Sequence, residues 1–223
     1  IGAFWGYKTD GLIQTQEQLN AVKRADFQPN AELGDVLFVD TNGDGKLDSS
    51  DRCMIGNPIP DIIYGINMGM AWKGFDLNLQ FGGTIGNQIF NAMRYYTYFP
   101  NDITNKDRAL MNYWTPNNTN TDIPRLTATD VNDNDRFSDM YVENGTYFRL
   151  RNAQLGYTLP ASLTQRIKLQ KVRFYVSGQN LFTISSYSGM DPEVGQSSSL
   201  SRGIDYGIYP QNISFTGGIN VTF

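Results

Sequence analysis

The chain has 223 residues, enough for one large domain or two small ones with a buried core. Its 18 Lys and Arg against 22 Asp and Glu give a formal charge of −4, with no clustered basic footprint, which excludes nucleic acid as a partner. One cysteine, Cys53, and no histidine exclude an internal disulfide framework, His-dependent triads and His-ligated zinc.

Mean hydropathy is −0.40 although 13% of residues are aromatic. That combination is expected where apolar side chains occupy alternate positions of strands. The start at Ile1 lacks a basic, then apolar, leader, so a mature or internal start is expected. The longest apolar run, Val36 to Val39, is far short of the roughly 18–20 residues a spanning helix needs.

In chain order, IGAFWGYKT (1–9) is a candidate strand, followed by a long connection, 10–61. Next, Tyr64, Ile66, Met68, Met70 and Trp72 alternate with Gly65, Asn67, Gly69 and Ala71. After a Lys73-Gly74 turn, Phe75, Leu77, Leu79 and Phe81 alternate with Asp76, Asn78 and Gln80, which predicts a tight β-hairpin. The connection 85–145 is long, with a short helical turn expected in 104–114. Segment 146–160 reads as a strand whose alternation is interrupted by a bulge. SLTQRI, in the short connection 160–170, offers another helical turn, and 171–182 is the next strand. After the long connection 183–210, NISFTGGINVTF alternates to the end, with Ile213, Phe215, Ile219, Val221 and Phe223 on one face.

Two environments fit strands with one apolar and one polar face. In a soluble sandwich the apolar face is core, and in an outer-membrane barrel it meets lipid. The connections alternate long and short without exception, as they must when one end of every hairpin faces the periplasm and the other the exterior. This favours an all-β, antiparallel transmembrane β-barrel. Tyr64, Trp72, Phe75, Tyr147, Tyr157 and Phe223 near strand ends suit its interfacial aromatic girdles.

DTNGDGKLDSSD (40–51) has the spacing of an EF-hand calcium loop. Asp40, Asn42, Asp44, Asp48 and Asp51 supply oxygens at positions one, three, five, nine and twelve. Lys46 stands at seven, where only a backbone carbonyl is needed, and Gly45 at the sharp turn. The competing reading is an Asx-rich turn without metal. A β-prone GDVLFV before the loop and Gly and Pro after it exclude the helix pair of a calcium sensor, leaving a static Ca2+ clip. Asp130, Asp133, Asp135 and Asp139 are read as a solvated loop in preference to a second cation site. Tyr95, Tyr96, Tyr98, Phe99, Tyr113 and Trp114 either stack on sugar rings or pack among themselves. Cys53 is expected to be inert, and no pair of carboxylates is placed for catalysis, so no enzyme is expected.

Six strings carry a resemblance: GYKTDGLIQTQEQ, GDVLFVDTNGDGKLDSSDRCMIGNPIPDIIYGI, YWTPNNTNTDIPRL, GTYFRLRNAQLGYTLP, VRFYVSGQNLFTISSYSGMDPEV and FTGGINVTF. In that order the chain resembles the C-terminal part of SusC/RagA-like TonB-dependent outer-membrane transporters. The resemblance implies that 1–223 is a portion of a barrel of about 22 strands, with plug and earlier strands elsewhere. It also implies import of a bulky oligosaccharide, or less readily a peptide, across the outer membrane of a Gram-negative bacterium. Implied partners are a SusD-like surface lipoprotein, TonB and outer-membrane lipid. The long connections, including 34–61 with its calcium loop, would then be extracellular, and Phe223 would end the barrel-assembly signal. The contrasting expectation is a soluble, calcium-stapled β-sandwich that binds carbohydrate.

Overall fold

The structure, a computed structural model, describes residues 2–99, 105–194 and 201–223. Thr104, where the predicted helical turn of 104–114 begins, lies outside them; Arg108–Asn112 forms a 3-10 turn. The chain divides into two compact units. Unit 1 comprises Ile1–Ile59, Gln88–Glu143 and Val194–Ile208, and unit 2 comprises Pro60–Asn87, Asn144–Glu193 and Tyr209–Phe223.

Unit 2 is built on one antiparallel sheet of five strands: β1 (Ile62–Trp72), β2 (Phe75–Ile85), β3 (Tyr147–Thr158), β4 (Lys171–Ser185) and β5 (Ser214–Thr222). The spatial order is β5-β4-β3-β2-β1, so every strand pairs with its neighbour in sequence. Lys73 and Gly74 both take positive φ between β1 and β2, the two-residue turn whose twist matches a hairpin. The turn between β3 and β4 is a short helical one, Ala161–Thr164 running into Gln165–Ile167. Both short connections leave one end of the sheet and all long ones leave the other.

The register aligns like with like across all five strands. Trp72, Phe75, Tyr157, Phe174 and Ile219 form one row, and Met70, Leu77, Leu155, Val176 and Gly217 the next. The opposite face carries Asp76, Asn78, Gln80, Asn152, Gln154, Ser177 and Thr216. The expected bulge is present: Arg151 has no partner where Leu150 and Asn152 face Phe81 and Gln80, and Asn180 and Leu181 swell the facing stretch of β4. The bulge shifts β3 by one residue, so Tyr157, Leu155 and Ala153 on one side of it share a face with Leu150 and Phe148 on the other.

The apolar face is bare. Met70 is 59% exposed, Val176 60% and Ile219 60%, so among the described residues no second layer covers it, and the sandwich expectation fails. Tyr64, Phe81, Phe148 and Phe182 form an aromatic chain toward the loop end, with ring centroids 5.2 to 6.5 Å apart. Phe75 and Tyr157, centroids 4.5 Å apart, lie beside Trp72 at the turn end. Tyr147 departs from the girdle expectation. It is buried under Arg149 on the polar face, because the bulge has exchanged the faces of odd and even residues before it.

Among the described residues, unit 1 holds three small hydrophobic clusters. Tyr7, Leu12, Phe27, Val36, Phe38 and Trp114 form one; Phe4, Phe90, Ala92 and Tyr141 another; Ile13, Leu19 and Ala31 a third. The opening segment is not a sixth wall strand. Phe4–Gly6 pairs with Cys53–Gly56, and Thr9–Leu12 pairs with Val36–Phe38. Phe4 is buried while Trp5 points out, so both faces of that strand are apolar and neither matches the wall's polar side. Gln88–Asn91 lies between Val142–Asn144 and Ile204–Asp205, the latter in parallel. An unanticipated helix, Gln16–Arg24, starts at a capping box: Thr15 accepts from the Gln18 N–H and the Gln18 side chain accepts from the Thr15 N–H.

Candidate functional site

The loop 40–51 folds by side chain to backbone bonding, as short polar side chains next to glycines favour. Asp40 accepts from the N–H groups of Gly43 (2.7 Å) and Gly45 (2.8 Å), and both glycines take the positive φ the turn needs. Asn42 accepts from the Asp44 N–H (2.9 Å) and Asp44 from the Lys46 N–H (2.8 Å). Asp48 accepts from the Ser50 N–H (2.7 Å) and caps a 3-10 turn, Ser49–Asp51. That bond, with help from the Ser50 side chain, holds the Asp48 carboxyl below its usual range.

Asp51 is fully buried and closes the loop. Its two oxygens accept from Thr41 N–H (3.0 Å) and Asp48 N–H (2.9 Å), and the Thr41 hydroxyl donates to its carbonyl (2.8 Å). Among the described residues no three acidic, cysteine or histidine side chains converge closely enough to hold a metal. The six loop positions are thus brought into one turn, with Asn42, Asp44, Lys46 and Asp48 at its surface, Asp40 half-buried and Asp51 inside. The flanks are strands, so the exclusion of a helix pair holds.

A cleft of about 410 Å³ borders the loop, lined by Asp26, Gln28, Lys46, Asp48, Asp133 and Arg136 among others. Asp35 is fully buried and accepts from Arg125 Nε (2.6 Å) and Asn134 Nδ2 (3.0 Å). Asn134 in turn accepts from the Val36 N–H, and Gln28 accepts from the Phe38 N–H and donates to the Val36 carbonyl. The strand before the loop therefore finds its missing backbone partners in side chains, as buried peptide groups must.

The acidic cluster differs from a solvated loop. Asp130 accepts from Asn134 Nδ2 (3.1 Å), and burial raises its carboxyl. Asp139 accepts from the Thr9 N–H and hydroxyl, and Asp133 pairs with Arg136 (2.9 Å). Of the aromatics of 95–114, Tyr95 and Tyr96 pack on each other (ring centroids 5.2 Å apart), while Tyr95, Phe99 and Trp114 pack on clusters elsewhere in unit 1. Tyr95 and Phe99 pack on the cluster that holds Tyr141, whose phenol burial raises well above its usual range. Trp114 is buried and donates to Gln14 (2.8 Å), while Tyr96 remains exposed. Cys53 is half-buried in its short strand, and Phe223 is exposed beyond β5.

In unit 2 the notable cluster is one the sequence did not single out. Arg149, buried on the polar face, contacts Asp191 (2.5 Å), Glu193 (2.9 Å) and the Thr183 hydroxyl (2.8 Å). Arg151 pairs with Glu193 (3.0 Å). Burial alone would raise Asp191, but N–H bonds from Gln211 and Glu193 and the Arg149 guanidinium outweigh it and lower its pKa. FRLRN and MDPE are thus the two halves of one clamp, which pins the segment after β4 to the sheet.

No protein-family model matches the sequence. TonB-dependent receptor P3 of Formosa agariphila is 39% identical and covers 100% of this chain. The chain belongs to the SusC/RagA-like TonB-dependent receptors. TonB-dependent receptor P26 of the same organism is 31% identical over 100% of the chain, and TonB-dependent receptor SusC of Bacteroides thetaiotaomicron is 29% identical over 88%. Two structures of the RagAB peptide transporter, one in its open-open state, cover 99% of the chain with a TM-score of 0.74 at 25% and 26% identity. This SusC/RagA-like chain spans only 22%, 23% and 18% of the three curated relatives, about a fifth of their length.

Proposed function

We propose that the chain is part of the wall and the extracellular loops of a TonB-dependent transporter in the outer membrane of a Gram-negative bacterium. Its cargo is a bulky nutrient, an oligosaccharide with a peptide as the alternative class, admitted beneath a SusD-like lipoprotein lid. The observation that carries this reading is the open five-stranded sheet, polar on one face and bare and apolar on the other. Aromatics mark both ends of the apolar face, Trp72 and Tyr64 lying eight residues apart on β1, roughly 26 Å along the strand at 3.3 Å per residue. That matches the apolar band of an outer-membrane barrel, about 25 Å tall and flanked by aromatic girdles. Water offers such a face no stabilisation, whereas lipid does. The test is uptake of a labelled oligosaccharide by cells carrying the full-length receptor. Uptake is expected to be lost on deletion of TonB, and TonB-independent uptake would sink the proposal.

The loop 40–51 is, in this reading, a calcium clip on an extracellular segment. Support comes from the complete ligand spacing and from lone pairs left on Asp40, Asn42, Asp44 and Asp48 after their backbone bonds. Calcium tolerates variable oxygen coordination, and the clip requires these side chains, which do not converge in this structure, to turn inward on binding. EGTA is expected to speed proteolysis within 34–61 of the full-length receptor, with calcium restoring resistance. Identical digestion with and without EGTA returns the loop to an Asx turn.

A further inference from the structure

Charge is unevenly divided. Unit 2 has seven Lys and Arg against four Asp and Glu, whereas unit 1 has eleven against eighteen. Within unit 2, Arg149 and Arg151 pair with Asp191 and Glu193, and Arg173 pairs with Asp76. Asp61 lies at the loop end, its N–H bonded to the Ile85 carbonyl. Lys73, Arg166, Lys168 and Lys171 remain, all exposed and without an ion pair among the described residues.

These four cations share the turn end of the sheet. Lys73 occupies the β1–β2 turn, and its ammonium lies 4.7 Å from the Trp72 ring centroid, on a ring that is 69% exposed. Arg166 and Lys168 occupy the β3–β4 connection, and Lys171 opens β4 on the polar face. The two turns are joined, the Thr158 N–H donating to the Gly74 carbonyl (2.7 Å). The exposed apolar side chains of Trp72, Phe75, Leu163 and Phe174 lie at the same end.

We propose that this rim binds anionic phospholipid headgroups of the leaflet on the turn side, with Lys73, Arg166 and Lys168 as the contacts. The inference rests on the membrane-wall reading above. A lysine whose ammonium lies over an exposed tryptophan places its charge where acyl chains give way to headgroups. A phosphodiester with net negative charge gains from three cations at one end of the sheet, whereas a zwitterionic lipid gains little. A soluble anion has no use for the apolar apron beside them.

The test uses the full-length receptor containing this segment, purified in detergent and exposed to equal amounts of phosphatidylglycerol and phosphatidylcholine. Native mass spectrometry then counts what stays bound. Phosphatidylglycerol is expected to dominate, with roughly fivefold weaker retention for each charge removed in K73Q, R166Q and K168Q. The single variants keep the measurement informative where the triple variant loses the heat-modifiable mobility of a folded barrel. Equal retention of the two lipids by the unaltered receptor overturns the proposal, as does an unchanged preference in folded variants. Displacement of the lipid by millimolar inorganic phosphate does the same. Outer-membrane fractionation separates the two failures: a receptor found there without lipid preference refutes only this inference, and one missing from it refutes the wall reading.

Discussion

The two units place their apolar residues in opposite ways. Unit 1 gathers its own into three clusters and threads a buried polar network through Asp35, Asn134 and Gln28. Unit 2 leaves Met70, Val176 and Ile219 exposed and keeps its buried polar contacts on the far face, around Arg149. Alternation in a sequence shows that two faces differ; it does not show which one is inside. The medium decides: unit 1 covers its apolar residues as a protein in water does, and unit 2, in the proposed reading, turns its apolar face to lipid.

The contrast can be broken at the polar face first. Arg149→Met leaves Asp191 buried without its cation, which costs about 3–5 kcal/mol, and faster proteolysis within 186–193 of the full-length receptor should report it. Next comes the bare face. Val176→Arg is expected to destabilise the lipid-embedded receptor by about 2–4 kcal/mol, measured by urea unfolding in vesicles, while Ser177→Arg on the opposite face is tolerated. Near-equal effects of the two would mean that both faces meet water. Smaller, and confined to unit 1, Thr15→Ala removes the helix cap at a cost of about 1 kcal/mol. Hydrogen exchange should rise in 16–24 and stay unchanged in β1 to β5.

Acid gives the finest contrast. Asp191 is lowered in the folded protein, so its contribution is complete above the ordinary carboxylate value of about 3.9 and is lost as pH falls through the folded value. Asp130 is raised by burial, so its ionised form opposes folding at neutral pH and that cost is relieved on acidification. Hydrogen exchange between about pH 5 and pH 3 should therefore loosen 186–193 while 130–136 holds or tightens. Parallel loosening of both segments would contradict the assignment.

How much was legible follows from the range of the forces involved. Period-two alternation located all five wall strands and the bulge, because a two-faced strand writes its environment into each residue. β2 and β4 extend farther than the pattern, to Ile85 and Ser185, since Gly82 and Gly83 interrupt the alternation and the bulge at Asn180 and Leu181 breaks it. The helix Gln16–Arg24 announced itself in Thr15 and Gln18, a capping signal the strand-centred reading passed over. The loop 40–51 was legible as a turn because its bonds span five residues or fewer apart from those closing it at Thr41 and Asp51. The clamp of Arg149 on Asp191 and Glu193 was not, since its halves stand some forty residues apart and nothing local marks them as partners. The same holds for Asp35 and Arg125, ninety residues apart.

The bulge at Arg151 acts as a phase change in the chain. On its C-terminal side odd-numbered residues of β3 lie on the apolar face, and on its N-terminal side even-numbered ones do. Pairing Arg151 as an ordinary ladder residue, with no bulge, would carry one parity through the whole strand and Arg149 onto the bare face, out of reach of Asp191. Phe148 and Leu150 would swing onto the polar side in exchange. A single surplus residue therefore lets an arginine and a phenylalanine next to each other in sequence each meet the medium it tolerates.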